Sequence, residues 1–373
     1  MIHQTEQVNA PVAAATPITA SGRLHNLDYL RGLAAFGIMI YHYMTWAYDR
    51  FPADSFLGRV GIYGVSVFYI LSGLTLFYVY HSKFESFAQA SIDFVIKRCF
   101  RIFPLLWLTI LFTLILHRSI HGVVPLLLNV TGLFGFVDWN RYIATGSWSI
   151  GNELVFYALF LPYIFMLRRN RILFVVASIV AFLVYIYFAF VVLEPGQTLN
   201  AQWGNYVNPL NQFFLFLGGV IMGYAFREVR LPNAAAILLF VAGFLLFIFL
   251  PAEGDTIQLV TGANRLLFTL SCFMICAGFY KMRIELPFWL SKPLSLLGEA
   301  SYSVYLIHPL VYAVGTAGVR SILKRLPFNI TPTIPGLAVS IAGTLVVSYF
   351  VYTYYEKYFM RLGKQVRVKE KAV

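Results

Sequence analysis

Apolar residues in this chain gather into runs of about twenty, divided by short polar or basic stretches, with none of the period-2 alternation of a half-buried strand. A helix needs about 20 apolar residues to cross the hydrocarbon core of a bilayer. Ten runs meet that length, at 27–46, 60–80, 101–117, 148–167, 171–193, 209–227, 234–250, 260–280, 298–318 and 334–355. A shorter run at 123–137 reads as re-entrant or interfacial, and the topology shifts by one pass if it spans. The pattern therefore predicts an all-α fold, a polytopic membrane protein built as a bundle of about ten transmembrane helices. No period of 20–50 residues and no inverted repeat is visible.

The ends differ from this pattern. Residues 1–24 hold Ala, Thr, Gln and Pro without the apolar core of a signal peptide, and are expected to form a flexible cytoplasmic tail. Residues 25–355 form the membrane domain, and 356–373 a basic cytoplasmic tail.

Composition sharpens the class. Of 373 residues, 59% are hydrophobic and 12% charged, about half the charged share of average soluble chains, so the lipid bilayer is the expected solvent. A net charge of +12 would suggest nucleic acid in a soluble protein. Here the basic residues sit between apolar runs, and about two thirds of the 28 Lys and Arg fall on one side when both termini are placed in the cytoplasm. The charge thus reads as topogenic, no nucleic-acid partner is expected, and the expected location is the inner (cytoplasmic) membrane with several passes. Cys99, Cys272 and Cys276 are too few, and too apolar in context, for a disulfide framework or a zinc site. No metal and no bound cofactor are expected.

Polar groups inside apolar spans are costly and mark candidate sites. Arg31 and His42 in the first span are eleven residues apart, which places them within roughly 20° on one helix face and about 16 Å apart along the axis. Alone, Arg31 reads equally as a snorkelling helix-end arginine and His42 as an interhelical hydrogen-bonding group; together on one face they point to function. Arg98 and Arg101 share a face at the start of the third span, where two guanidiniums suit an anion and also serve as topogenic charge. Glu153 enters the fourth span behind Trp148 and Ser149, at about the depth of His42 from the outer side. A buried carboxylate there needs a cation, either His42 or, in a purely structural reading, Arg141. His308, beside Pro309, sits mid-membrane in the ninth span, with Tyr302 and Tyr305 on the approach.

Taken together these segments resemble the acyltransferase 3 family of bacterial membrane acyltransferases, from about residue 25 to 355. Its arginine-x10-histidine pattern matches Arg31 and His42, and its arginine pair matches Arg98 and Arg101. Its Trp-Ser-x-x-x-Glu element matches Trp148, Ser149 and Glu153, and its Ser-Tyr-x-x-Tyr-x-x-His stretch matches Ser301, Tyr302, Tyr305 and His308. The resemblance implies acyl-CoA, with acetyl-CoA foremost, as donor and co-substrate, His42 as the catalytic residue, and an envelope or cell-surface saccharide or glycolipid as acceptor. Some members carry an added extracytoplasmic hydrolase-like domain, so a chain with only the membrane part acts alone or with envelope-assembly partners. The residues fit that chemistry. A histidine base takes the proton of an acceptor hydroxyl, Glu153 is expected to hold its tautomer, and Arg31, Arg98 and Arg101 suit the CoA phosphates. Trp148, Ser149, Tyr302, Tyr305 and His308 are expected to line a continuous polar channel walled by spans one, three, four and nine. The competing reading is a transporter or flippase of a glycolipid or small anion, which ten helices with midplane polar groups would also suit.

Overall fold

In lipid every backbone N–H and C=O needs a partner within the protein, and the described part of the chain meets this with helices alone. The structure is a computed structural model describing residues 20–81, 87–117, 122–283, 285–327 and 330–370. In chain order the helices are α1 (Ala20–Ala47), α2 (Phe56–Tyr80), α3 (Phe87–His117), α4 (Val123–Thr131), α5 (Phe134–Val137), α6 (Trp148–Arg169), α7 (Arg171–Tyr187) and α8 (Trp203–Tyr206). There follow α9 (Pro209–Phe226), α10 (Asn233–Phe249), α11 (Ile257–Val260), α12 (Gly262–Lys281), α13 (Phe288–Glu299), α14 (Ser301–Leu323), α15 (Thr333–Phe350) and α16 (Lys357–Glu370). Turns of π-helix extend α7 over Phe188–Val192 and join α15 to α16 over Val351–Glu356.

Each of the ten apolar runs coincides with one of these helices. Among the described residues, eight helices are long and apolar enough to cross a membrane. The two outside that group are α1, which carries Asp28, Arg31 and His42, and α10, which is apolar but only 17 residues long. Both are packed into the bundle, α1 against α2, α13 and α14, and α10 against α12. The run at 123–137 does not cross. It breaks at Gly132, with φ of 76°, into a nine-residue and a four-residue helix, and nine helical residues reach only about 13 Å.

The ends are more helical than their composition suggests. The tail expected at 1–24 lies outside the described residues up to 19, and α1 is already under way at Ala20. The basic tail forms α16, which docks on α3 with Gly363 against the side chain of Phe100.

Three features position the interior. First, α2 and α9 cross at backbone contact: a Cβ on Gly73 would lie 1.9 Å from the carbonyl oxygen of Phe216, and one on Gly219 would lie 2.1 Å from that of Ile70. Small residues at a helix crossing allow this approach, as in other membrane bundles. Second, buried Arg59 in α2 donates to the carbonyls of Phe247, Ile248 and Leu250, closing the end of α10, and to Ala53. Those oxygens would otherwise be orphaned at the helix terminus. Third, buried Asn129 donates to the carbonyls of Pro125 and Arg141 and accepts from the N–H of Ile143. That staple fixes the loop leading into α6.

Candidate active site

Five helices converge on a cavity of about 220 Å³. Arg31 comes from α1, Arg98 and Arg101 from α3, Glu153 and Tyr157 from α6, and Tyr302 and Tyr305 from α14. The longest wall belongs to α2, whose Val65, Phe68, Tyr69, Ser72, Thr75, Leu76 and Val79 recur at helical spacing along one face. Arg31 is anchored to that wall: its Nη2 donates to Thr75 Oγ1 at 2.6 Å and to the Leu71 carbonyl at 3.2 Å, and its Nη1 lies 3.4 Å from Asp28. Arg98 is freer. Its guanidinium sits over the rings of Phe94 and Tyr157, 5.7 and 5.6 Å from their centres, and its Nε has no hydrogen-bond partner among the described residues. Tyr157 donates to Glu153 at 2.8 Å. Three guanidiniums line the cavity against one lining carboxylate, with Asp28 behind Arg31, so the cavity wall is rich in donors suited to phosphate.

His42 stands elsewhere. Its Nδ1 lies 2.8 Å from Nε2 of His308, and its ring stacks on Trp46 with centres 5.2 Å apart. The other nitrogen of His308, Nδ1, lies 3.1 Å from the carbonyl of Val304. A carbonyl only accepts, so with both rings neutral His308 Nδ1 carries its proton, His308 Nε2 accepts, and His42 Nδ1 donates. The proton of His42 is thereby held on Nδ1, and Nε2 is left as the basic nitrogen. Tyr43 holds the His308 backbone, donating to its carbonyl at 2.9 Å, with Thr344 2.6 Å from the same hydroxyl.

The His42 ring lines a second cavity of about 440 Å³. Its walls combine Tyr41, Trp148, Trp203 and Tyr206 with Asn200, Asp255, Thr45 and Arg50. Trp203 and Tyr206 stand 5.3 Å apart and Trp148 and Trp203 5.6 Å, so these rings form one corner. Trp203 is fixed by donating to Tyr142, and Asp255 by accepting from the N–H groups of Leu199 and Ile257. Aromatic faces beside hydrogen-bonding side chains suit a ligand with an apolar face and a polar rim.

Arg31, Arg98 and Arg101 meet in the first cavity, with Ser149, Tyr302 and Tyr305. Trp148 lines the second, and Tyr305 lines both. Two expectations need correction. Glu153 lies in the arginine cavity rather than beside His42, because α6 opens at Trp148 on the level of the second cavity and each later residue advances about 1.5 Å toward the arginines. The partner of His42 is His308, while Arg141 pairs with Asp138 at 3.3 Å, so neither foreseen cation takes Glu153. The continuous channel walled by spans one, three, four and nine is instead two chambers, with α2 as a main wall and His308 lining neither. The sequence reading missed Trp203, Tyr206, Asn200 and Asp255, which lie on or beside short helices between spans. Two tryptophans and tyrosines at a presumed outer face were the available signal. Among the described residues no three His, Cys, Asp or Glu side chains gather as metal ligands.

Comparison with known proteins bears on the family of the chain. The family model described as an acyltransferase domain, that of the acyltransferase 3 family, matches residues 24–353. The chain is similar to the exopolysaccharide production protein ExoZ of Rhizobium meliloti (strain 1021), 24% identical over 328 residues that make up 83% of this chain and 92% of the relative. No solved structure matches the chain. The chain belongs to the acyltransferase 3 family and is a multi-pass membrane acyltransferase.

Proposed function

We propose that the enzyme moves a short acyl group, acetyl foremost, from acyl-CoA to a hydroxyl of an envelope or cell-surface saccharide. The observation that carries this reading is the adjacency of two unlike chambers, one cationic and one holding His42 among aromatic rings. The phosphates of CoA match Arg98 and Arg101, with Arg31 bracing the same wall. The aromatic corner of the second chamber matches a sugar ring, and the relative's role in exopolysaccharide production points the same way.

The chemistry follows from the tautomer. The acceptor hydroxyl oxygen attacks the thioester carbonyl carbon as His42 Nε2 takes the hydroxyl proton. The carbon–sulfur bond breaks, and the thiolate leaves as CoA after recovering that proton. Among the described residues no carboxylate is hydrogen-bonded to His42 to offset its transient positive charge, although Asp255 lines the same chamber. His308 serves instead, because the Nδ1–H···Nε2 hydrogen bond strengthens as His42 becomes cationic. Glu153, held by Tyr157, offsets part of the repulsion among the three guanidiniums of its chamber.

The excess of basic residues around the arginine end supports a cytoplasmic side for that chamber and for both termini, with the inner membrane as the location. The histidine chamber then opens toward the envelope, and the acyl group alone crosses. Purified enzyme with labelled acetyl-CoA and an envelope saccharide tests the reading. Label on the saccharide with CoA released is expected; failure of both transfer and CoA release overturns it. Mass spectrometry of envelope glycans with and without the gene identifies the acceptor.

A further inference from the structure

The two chambers share two lining residues, Val65 of α2 and Tyr305 of α14. Both are buried. Tyr305 is anchored at its tip, where its hydroxyl donates to the Gly146 carbonyl at 3.1 Å and lies 2.9 Å from Ser149 Oγ. Gly146 has φ of 83° and no side chain; a Cβ there would come within 3.4 Å of the tyrosine hydroxyl. The Phe68 ring packs beside Tyr305 with centres 6.1 Å apart. Val65 has no such anchor, and of the α2 side chains it is the one that lines both chambers.

We infer that Val65 and Tyr305 form a fixed aperture between the chambers that selects against acyl groups bulkier than acetyl. This rests on the donor reading proposed above. The thioester carbon must come within reach of the hydroxyl deprotonated at His42, while the nucleotide stays with the arginines. Everything beyond that carbon therefore enters the histidine chamber past these two side chains. An anchored phenol on one side and a stiff β-branched side chain on the other leave little room to yield. An acetyl group passes; a bulkier acyl group must press against the valine as it enters.

Donor profiles with acetyl-, butanoyl- and hexanoyl-CoA test the aperture. In Val65→Ala the ratio of kcat/KM for butanoyl-CoA to that for acetyl-CoA is expected to rise about tenfold, the usual effect of a methylene-sized change in an apolar pocket. In Val65→Phe, acetyl transfer is expected to fall in kcat with little change in KM for acetyl-CoA, since the phosphates bind elsewhere. Tyr305→Phe keeps the ring but loses the anchor, and is expected to shift the ratio in the same direction as Val65→Ala. Each variant is checked for monodisperse behaviour in detergent. A Val65→Ala enzyme that transfers acetyl but keeps its donor ratio within about twofold of the parent overturns the aperture and leaves the donor reading standing. A parent enzyme inert toward every acyl-CoA overturns both.

Discussion

The arginine chamber draws three guanidiniums from two helices together around Glu153, whereas the histidine chamber is built mainly of aromatic rings and hydrogen-bonding groups, with Arg50 and Asp255 at its wall. The difference lies in what each must hold. Charge inside a bundle survives only with partners, so Arg31 is tied to Thr75, Leu71 and Asp28, and Arg98 lies over two rings. The histidine chamber avoids that cost by keeping its working group neutral at rest and giving it another histidine as support. One chamber should therefore respond to ionic strength and the other to shape.

The largest test strikes the histidine side. His42→Ala is expected to lower kcat by about 10²–10⁴ while the variant still inserts and binds donor, as measured by labelled transfer on purified protein. Near-parental turnover would remove His42 from the mechanism. His308→Ala should cost less, about 10²-fold in kcat with KM nearly unchanged, since it removes the acceptor that fixes the tautomer and not the base itself. His308→Gln offers an amide oxygen to His42 Nδ1 and should recover part of the rate; no recovery would argue for a packing role alone.

On the arginine side the effect moves to KM. Arg98→Ala and Arg101→Ala should each weaken acyl-CoA binding by about 1.5–3 kcal/mol, read as a higher KM for donor with the acceptor KM little changed. Added salt should raise the donor KM of the parent enzyme and leave the acceptor KM almost flat. The opposite pattern would exchange the roles of the chambers. The smallest effect is expected from Trp203→Ala, which removes one face of the aromatic corner: about 0.5–1.5 kcal/mol in acceptor binding, seen in acceptor KM only. Tyr41→Cys should then be labelled by an impermeant thiol reagent from outside intact cells, and labelling only from the cytoplasm would reverse the proposed orientation.

The spans were legible because bilayer thickness leaves its mark directly as run length, and the Arg31–His42 face because helical spacing fixes it. The Arg98–Arg101 pair was legible for the same reason. Local spacing carried no information on His42 meeting His308, 266 positions away, or on Glu153 turning to the arginines. Those contacts depend on how helices dock. The wall formed by α2 was hidden for another reason: its chamber face is largely apolar, with Ser72 and Thr75 the modest exceptions. Two of the three rings of the aromatic corner, Trp203 and Tyr206, come from the short α8, where no apolar run draws attention.

The glycine crossing of α2 with α9 has a consequence for redesign. The residues of α2 that face the arginine chamber and those that meet α9 lie on different sides of one rigid rod. An engineer can resculpt the first set residue by residue. A single methyl added at Gly73 or Gly219 would instead lever the whole rod inward, displacing Val65, Ser72 and Thr75 together. Loss of activity from such a lesion would look like damage to the substrate pocket, though the altered atom touches no substrate.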